Sequence, residues 1–378
     1  MKKLFFISFF IVFATLACKD SKKNDSVDDV GISDDDIADY DSYKDKESED
    51  TDDFYDGDYF DSDDSDEVYD EDIHEEDEET VVCEYISIEG DDLCEIQKNG
   101  NALLIKGRIL AHDREYTGGQ VLIDEEGVIV CHGCDCLEKA GEMSATVMTC
   151  PDGVVSPSLI NAHDHMGWTH NSPADWGQER FEHRHDWRKG LHGHSKISAP
   201  GGASKENKQW GELRNVMAGT TIIAGSGGAE GFLRNVDRNM YLEGLNKGNV
   251  DYTTFPLGDS DGTQLDDSCD YSDYMDGEEK LHHDCYLPHV AEGINNYARN
   301  EFLCLSSDSY DENSVDLTKE NAAFIHGVAL NAEDGEKLAS SGTSIIWSPR
   351  TNISLYGNTA PVTMLHSQGV LLGMGTDW

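Results

Sequence analysis

Between residues 101 and 133, "NALLIKGRIL" and "GGQVLIDEEGVIVCHG" alternate apolar and polar positions around glycine-rich turns. This is the period-two pattern of short antiparallel strands. The pattern ends at "CPDG" (150–153), which reads as a turn, and its character then changes. From residue 154 onward, apolar strand-like runs are separated by amphipathic stretches of helix length. The runs are "VVSPSLI", "GTTIIAG", "DYTTFPLG", "CYLPHVA", "AAFIHGV", "TSIIWSP" and "GVLLGMGTD"; between them lie stretches such as "SKENKQWGELRNVMA", "EGINNYARNEFLCL" and "AEDGEKLASS". Strands alternating with helices imply parallel pairing through βαβ units, and seven such runs predict a barrel rather than an open sheet. An acidic, cysteine-containing loop over 258–285 fills the place expected for a further strand and helix, and the chain stops at Trp378 directly after a strand. The expectation is an α/β protein with a (β/α)8 TIM-type barrel over 153–378, truncated at its last strand, behind a small β-rich part over 81–152.

Composition changes the picture at the amino terminus. "MKKLFFISFFIVFATLACKD" has two lysines, a short apolar run and small residues before Cys18, the layout of an export signal too short to span a bilayer. "TLAC" resembles a bacterial lipobox, with Thr15 where leucine is more usual. The expectation over 1–18 is a lipoprotein-type signal with lipidation at Cys18, and hence membrane anchoring in the bacterial cell envelope; a plain signal cut near Ala17 is the alternative. Residues 19–79 carry 30 acidic and 5 basic side chains with few apolar ones, which predicts a disordered, extended tether over 19–80. Residues 80–378 hold 46 acidic against 21 basic residues, which argues against nucleic acid as a partner. Nine cysteines follow Cys18. In an exported chain they read as disulfides with one thiol left over, either free or paired with something outside this chain, although "CHGCDC" also has zinc-like spacing. "DSDGTQLDD" lacks the full spacing of a calcium loop.

Candidate chemistry lies at the strand ends. In "SPSLINAHDHMGW", His163 and His165 are one residue apart behind an apolar run, so both project from the carboxyl end of the first barrel strand, the end where barrel enzymes place their chemistry. The rival pairs His183/His185 and His192/His194 sit in glycine- and charge-rich sequence and follow no apolar run. His289 stands at another strand end with Glu292 three residues on, His326 at a third and Asp377 at the last. Three imidazoles and a carboxylate suit one divalent ion such as Zn2+ or Fe2+ and leave room for water.

"SPSLINAHDH", "MAGTTIIAG", "HVAEG", "FIHGVALN", "SPRTNISLYG" and "GMGTDW" stand in the order seen in the amidohydrolase superfamily, and most resemble its cytosine-deaminase, guanine-deaminase and chlorohydrolase branch. The resemblance runs from about Asn101 to the chain end. It implies that the early strands are the amino-terminal part of a small β-sandwich. It implies metal ligation by His163, His165, His289 and Asp377, a proton shuttle at Glu292, and a substrate-polarising or water-orienting role for His326. Asp377 would also accept a proton from water while ligating. "SPRTNISLYG" resembles the family's substrate stretch, so Arg350 and Asn352 are expected substrate contacts, with Trp168, His170, Trp176 and Arg180 lining or covering the pocket. The strand "DYTTFPLG" holds no lysine and Lys280 lies in the acidic loop, so one metal per chain is expected. The implied activity is hydrolysis of a carbon–nitrogen bond other than a peptide bond, most simply deamination of a purine, pyrimidine or triazine. Cyclic-amide (imidazolone-type) hydrolysis and dechlorination are the alternatives within enzymes. A surface-anchored binding lipoprotein with a non-catalytic barrel is the alternative outside them. Expected partners are a small-molecule substrate, the membrane, and a second copy of the chain.

Overall fold

The computed structural model of the protein describes residues 80–112, 114–172, 177–225, 228–238, 240, 242–243, 250–271 and 275–378. The signal, Cys18 and the tether up to residue 79 lie outside them, as does Trp176.

Six strands form the first sheet: β1 Val81–Val82, β2 Glu95–Gln97, β3 Leu103–Leu110, β4 Glu115–Ile123, β5 Ile129–Gly133 and β6 Thr146–Val155. Their order is β1-β4-β3-β6-β2, with β5 beside β4. The β3–β4 hairpin is antiparallel as its alternation predicts, whereas β1–β4 and β3–β6 are parallel pairs. Alternation sends Leu104 and Leu122 to one face, against Ala140 of helix α1 (Leu137–Glu142), and Ile105, Val121 and Ile123 to the other. The described residues form one sheet with a helix on a face, not two stacked sheets. "CPDG" is a bulge rather than a turn. Strand β6 continues through it, and its pairing with β3 jumps from Lys106↔Thr149 to Arg108↔Val154. The close crossing requires glycine, since a Cβ on Gly107 would meet the Gly153 carbonyl oxygen at 2.6 Å.

Disulfides Cys83–Cys134, Cys94–Cys150 and Cys131–Cys136 staple this part, so the "CHGCDC" sulfurs serve disulfides and not zinc. A fourth, Cys269–Cys304, pins the acidic loop to helix α4 (Asn296–Leu305). The leftover thiol expected from the odd count does not appear: among the described residues no cysteine is free.

Eight further strands, all parallel to their neighbours, follow: β7 Leu159–Asn161, β8 Thr220–Ile223, β9 Arg234–Asn235, β10 Val250–Thr253, β11 Cys285–Val290, β12 Ala323–His326, β13 Ser344–Trp347 and β14 Leu372–Met374. They make two sheets, β7-β8-β9 and β10-β11-β12-β13-β14. Backbone bonds from Ala162 N to Met374 O and from Asp377 N to His163 O, both 2.9 Å, join β14 back to β7. The count of seven strands is therefore corrected to eight. The missing strand is Arg234–Asn235, two polar residues without an apolar run, and not the acidic loop, whose described residues hold 3-10 turns. Helices α2 (Arg184–Lys189), α3 (Lys205–Met217), α4, α5 (Ala332–Ser341), α6 (Pro349–Tyr356) and α7 (Val362–Ser367) connect the strands. Alternation along β11 and β12 separates two cores. Leu287 and Ile325 pack inward with Ile222 and Ile346, while Tyr286 and Phe324 pack outward with Phe302, Leu338 and Leu365. Among the described residues no helix is long and apolar enough to cross a membrane.

Candidate metal centre

Four side chains predicted from separate stretches meet at the carboxyl ends of β7, β11 and β14. His163 Nε2 lies 3.0 Å from His289 Nε2 and 3.3 Å from His165 Nε2. Asp377 Oδ1 lies 3.4 Å from His163 Nε2 and 3.3 Å from His165 Nε2. His289 Nδ1 donates to the Thr253 carbonyl oxygen at 3.0 Å, which leaves Nε2 of the neutral ring bare. His163 Nδ1 meets Ser348 Oγ at 2.8 Å, and a serine accepting there leaves the second Nε2 bare as well. Burial, and then the neighbouring imidazoles, hold His163 and His289 well below the usual histidine range, so both rings are neutral. Bare nitrogen lone pairs 3.0 Å apart beside a carboxylate repel one another, and a cation relieves that repulsion. The described residues thus offer two ligand groups that share His163, one with His165 and Asp377 and one with His289 and His326, and the donor chemistry fits a divalent ion, with outer partners that orient the rings.

The backbone records the same convergence. Ala291, His326 and Asp377 have φ of 57°, 77° and 65°, and they make up half of the six described non-glycine residues in the left-handed region. Each costs on the order of 1 kcal/mol or more, and all three stand at strand ends of this centre. Tyr252 on β10 sets its hydroxyl 3.5 Å from both His165 Nδ1 and His289 Nε2. Lys280 is engaged by Asp251 and Asp276, so no described lysine side chain joins the ligands.

Beside the quartet, His326 Nε2 lies 3.4 Å from Glu292 Oε2. The Asn352 amide nitrogen sits on His326 Nδ1 at 3.0 Å, and with that donor in place Nε2 is the protonated nitrogen of the neutral ring. Helix α6 supplies most of these outer contacts. Ser348, its N-cap, gives no side-chain cap because its hydroxyl is on His163. Thr351 Oγ1 donates to Asp377 Oδ2 at 2.6 Å, Asn352 holds His326, and Tyr356 OH donates to Glu292 Oε1 at 2.7 Å. The spacing 348, 351, 352, 356 is one helical face.

A cavity of about 360 Å³ opens onto the centre, lined by His165, Trp168, Trp187, Arg350, Thr351 and Trp378 among others. Trp378 stacks on the His165 ring, with centroids 4.8 Å apart, and Trp168 meets it edge-on. Two residues expected at the substrate, Trp168 and Arg350, thus line the cavity, and Arg350 also donates to the Trp378 carbonyl at 2.7 Å. Asn352, expected there too, is fully buried on His326 and does not line it. His170 and Arg180 do not line it either.

The rival pair in "EHRHDW" proves to be interior. His183, Arg184 and His185 are at most 1% exposed, with Asp259 and Glu301 buried around them. Arg184 reaches Asp259 Oδ2 at 2.5 Å and Glu301 Oε1 at 3.1 Å, and His185 Nε2 reaches Asp259 Oδ2 at 2.7 Å. His183, His185 and Glu301 are close enough to hold an ion, but the Arg184 guanidinium already neutralises these carboxylates, and His185 Nδ1 faces Arg188 at 2.6 Å. This is an ion-pair network. It brackets the end of β11: Arg184 N donates to the Glu292 carbonyl, His183 bridges to Gly293, and Glu301 accepts from Ala291 N. Charge-rich sequence without an apolar run hid it.

No protein-family profile matches the chain. A 5-methylthioadenosine/S-adenosylhomocysteine deaminase of Halobacterium salinarum is 24% identical over 324 residues, 72% of this chain and 67% of that protein. One of the same name from Thermococcus onnurineus is 23% identical over 315 residues, 73% of this chain and 70% of its own. Among solved structures, a triazine hydrolase from Arthobacter aurescens superposes with a TM-score of 0.49 at 16% identity, over 74% of this chain and 72% of that one, a distant likeness. With its motifs in family order and with deaminase relatives aligned along most of its length, the chain is similar to members of the amidohydrolase superfamily.

Proposed function

We propose that the protein is a metal-dependent aminohydrolase of a nitrogen heterocycle, with a purine, pyrimidine or triazine as substrate and ammonia as product. The observation that carries this reading is the Glu292–His326 pair, 3.4 Å apart, next to a ligand set of three imidazoles and one carboxylate under an aromatic-walled cavity. The aligned relatives, named as deaminases of adenosine derivatives, favour a purine.

His163, His165, His289 and Asp377 would hold one divalent ion, zinc or ferrous iron, which would supply Lewis acidity and lower the pKa of a water toward ~7. The chain's own groups do the rest. Glu292 takes the proton that water gives up on attacking the ring carbon and returns it toward the departing amine, so the C–N bond breaks with neutral ammonia leaving. His326 donates from Nε2 to the substrate or the water and fixes its direction. Asp377 presents Oδ1 to the ligand cluster because Thr351 holds Oδ2. Trp168 and Trp378 offer flat walls to a planar ring, and Arg350 offers a donor at the rim. The eight strands are proposed to close as a (β/α)8 barrel. From sequence alone, Cys18 is proposed to carry a lipid that anchors the chain in the cell envelope.

The test is metal content by elemental analysis together with ammonia release across purines, pyrimidines and triazines. We expect close to one zinc or iron per chain and ammonia from at least one purine. A ratio near two overturns the single-ion reading. Metal without ammonia moves the reading to dechlorination or cyclic-amide hydrolysis, and protein without metal moves it to a binding protein.

A further inference from the structure

We infer that Tyr356 is a positioning residue that confines the carried proton to Oε2 of Glu292. The inference rests on the reading of Glu292 as the proton carrier. Trp187 Nε1, which can only donate, reaches the Tyr356 hydroxyl oxygen at 3.0 Å, and that hydroxyl reaches Glu292 Oε1 at 2.7 Å. Tyr356 is 2% and Glu292 6% exposed, so water does not compete freely for these contacts. The hydroxyl has no other acceptor among the described residues, and its hydrogen is therefore committed to Oε1. Burial and the adjacent carboxylate push the phenol well above its usual range, which keeps that hydrogen in place.

The two carboxylate oxygens become inequivalent. Oε1 is an acceptor already supplied with a donor, and a proton placed on it would face the hydroxyl hydrogen. Oε2 faces His326 Nε2 at 3.4 Å, where a proton can be taken up and passed on. The direction Trp187 to Tyr356 to Glu292 therefore does for Glu292 what Asn352 does for His326: it selects which atom handles the proton. Both selectors stand on α6, four residues apart.

Tyr356→Phe removes one oxygen and keeps the ring in its buried place. On whichever panel compound releases ammonia, we expect kcat to fall on the order of 10–100-fold, the rate equivalent of one hydrogen bond to a charged group. KM should stay within about twofold and metal content should be unchanged. A role confined to packing would instead shift metal content or thermal midpoint along with both kinetic constants, and that pattern overturns the inference. Adding Tyr356→Phe to Glu292→Gln should give no further loss, because the group it acts through is gone. If Glu292→Gln is inactive while Tyr356→Phe matches the unaltered protein, this inference fails and the proposed function stands. If Glu292→Gln itself retains full turnover, the proton-carrier reading fails first. Should the Phe variant not fold, Trp187→Phe removes the donor that orients the hydroxyl, and the same fall in kcat is then expected; unchanged kcat there overturns the inference.

Discussion

Replacing Glu292 by Gln is expected to lower kcat by about 10²–10⁴-fold, the usual worth of one acid–base group, while the metal stays bound. Glutamine keeps the size of the side chain, and its carbonyl oxygen can still accept from Tyr356, so the 2.7 Å contact survives in kind. The amide cannot take up and release a proton. None of the four proposed ligands bonds to the Glu292 side chain among the described residues, so the ligand set is untouched. Turnover and elemental analysis on the same preparation decide it. Lost turnover with one metal retained is the expected result. Turnover within a few-fold of the original removes Glu292 from the chemistry, and loss of metal would make it a structural support of the ion.

The largest stability effect is expected at Arg184. Its guanidinium is 1% exposed and serves Asp259, Glu301 and the Thr254 carbonyl oxygen, the last at 2.8 Å. Arg184→Met keeps much of the side-chain volume and leaves two carboxylates in the interior without their main counter-charge. Burial alone disfavours charge on both, and breaking a buried pair in this way costs roughly 3–5 kcal/mol. His185 does not make good the loss, because burial holds it down to about 4 and it stays neutral near pH 7. Chemical denaturation should show the drop as a lower midpoint with little change in slope. A loss below about 1 kcal/mol would mean that the network tolerates the charge and that the bracket around Glu292 rests on backbone bonds alone.

The contrast between these two residues shows what was readable in advance. Glu292, His289 and the His163/His165 pair follow apolar strands, and period-two geometry sends their side chains to one rim. Asp377 and His326 stand at strand ends for the same reason, and the family resemblance supplied their order. Arg184 and its neighbours have no such frame. Their meaning comes from Asp259 and Glu301, 75 and 117 positions away, and no periodicity connects them. Strand β9 was hidden because Arg234–Asn235 pairs through its backbone without apolar side chains. Asn352 and Tyr356 lay in a stretch read as substrate-facing. Only the packing of α6 against the rim shows which of its residues face the centre and which face the cavity.

That division within α6 bears on how the protein can change. Arg350, Ser354 and Leu355 face the cavity, while Ser348, Asn352 and Tyr356 are bonded to His163, His326 and Glu292, and Thr351 faces the cavity and also bonds Asp377. Two alphabets are interleaved on two turns of helix. One set can be rewritten to admit a different ring or substituent, and the other must stay as it is for any ring to react. A library randomised at 350, 354 and 355 should therefore alter which compounds are turned over while leaving the chemistry common to all of them.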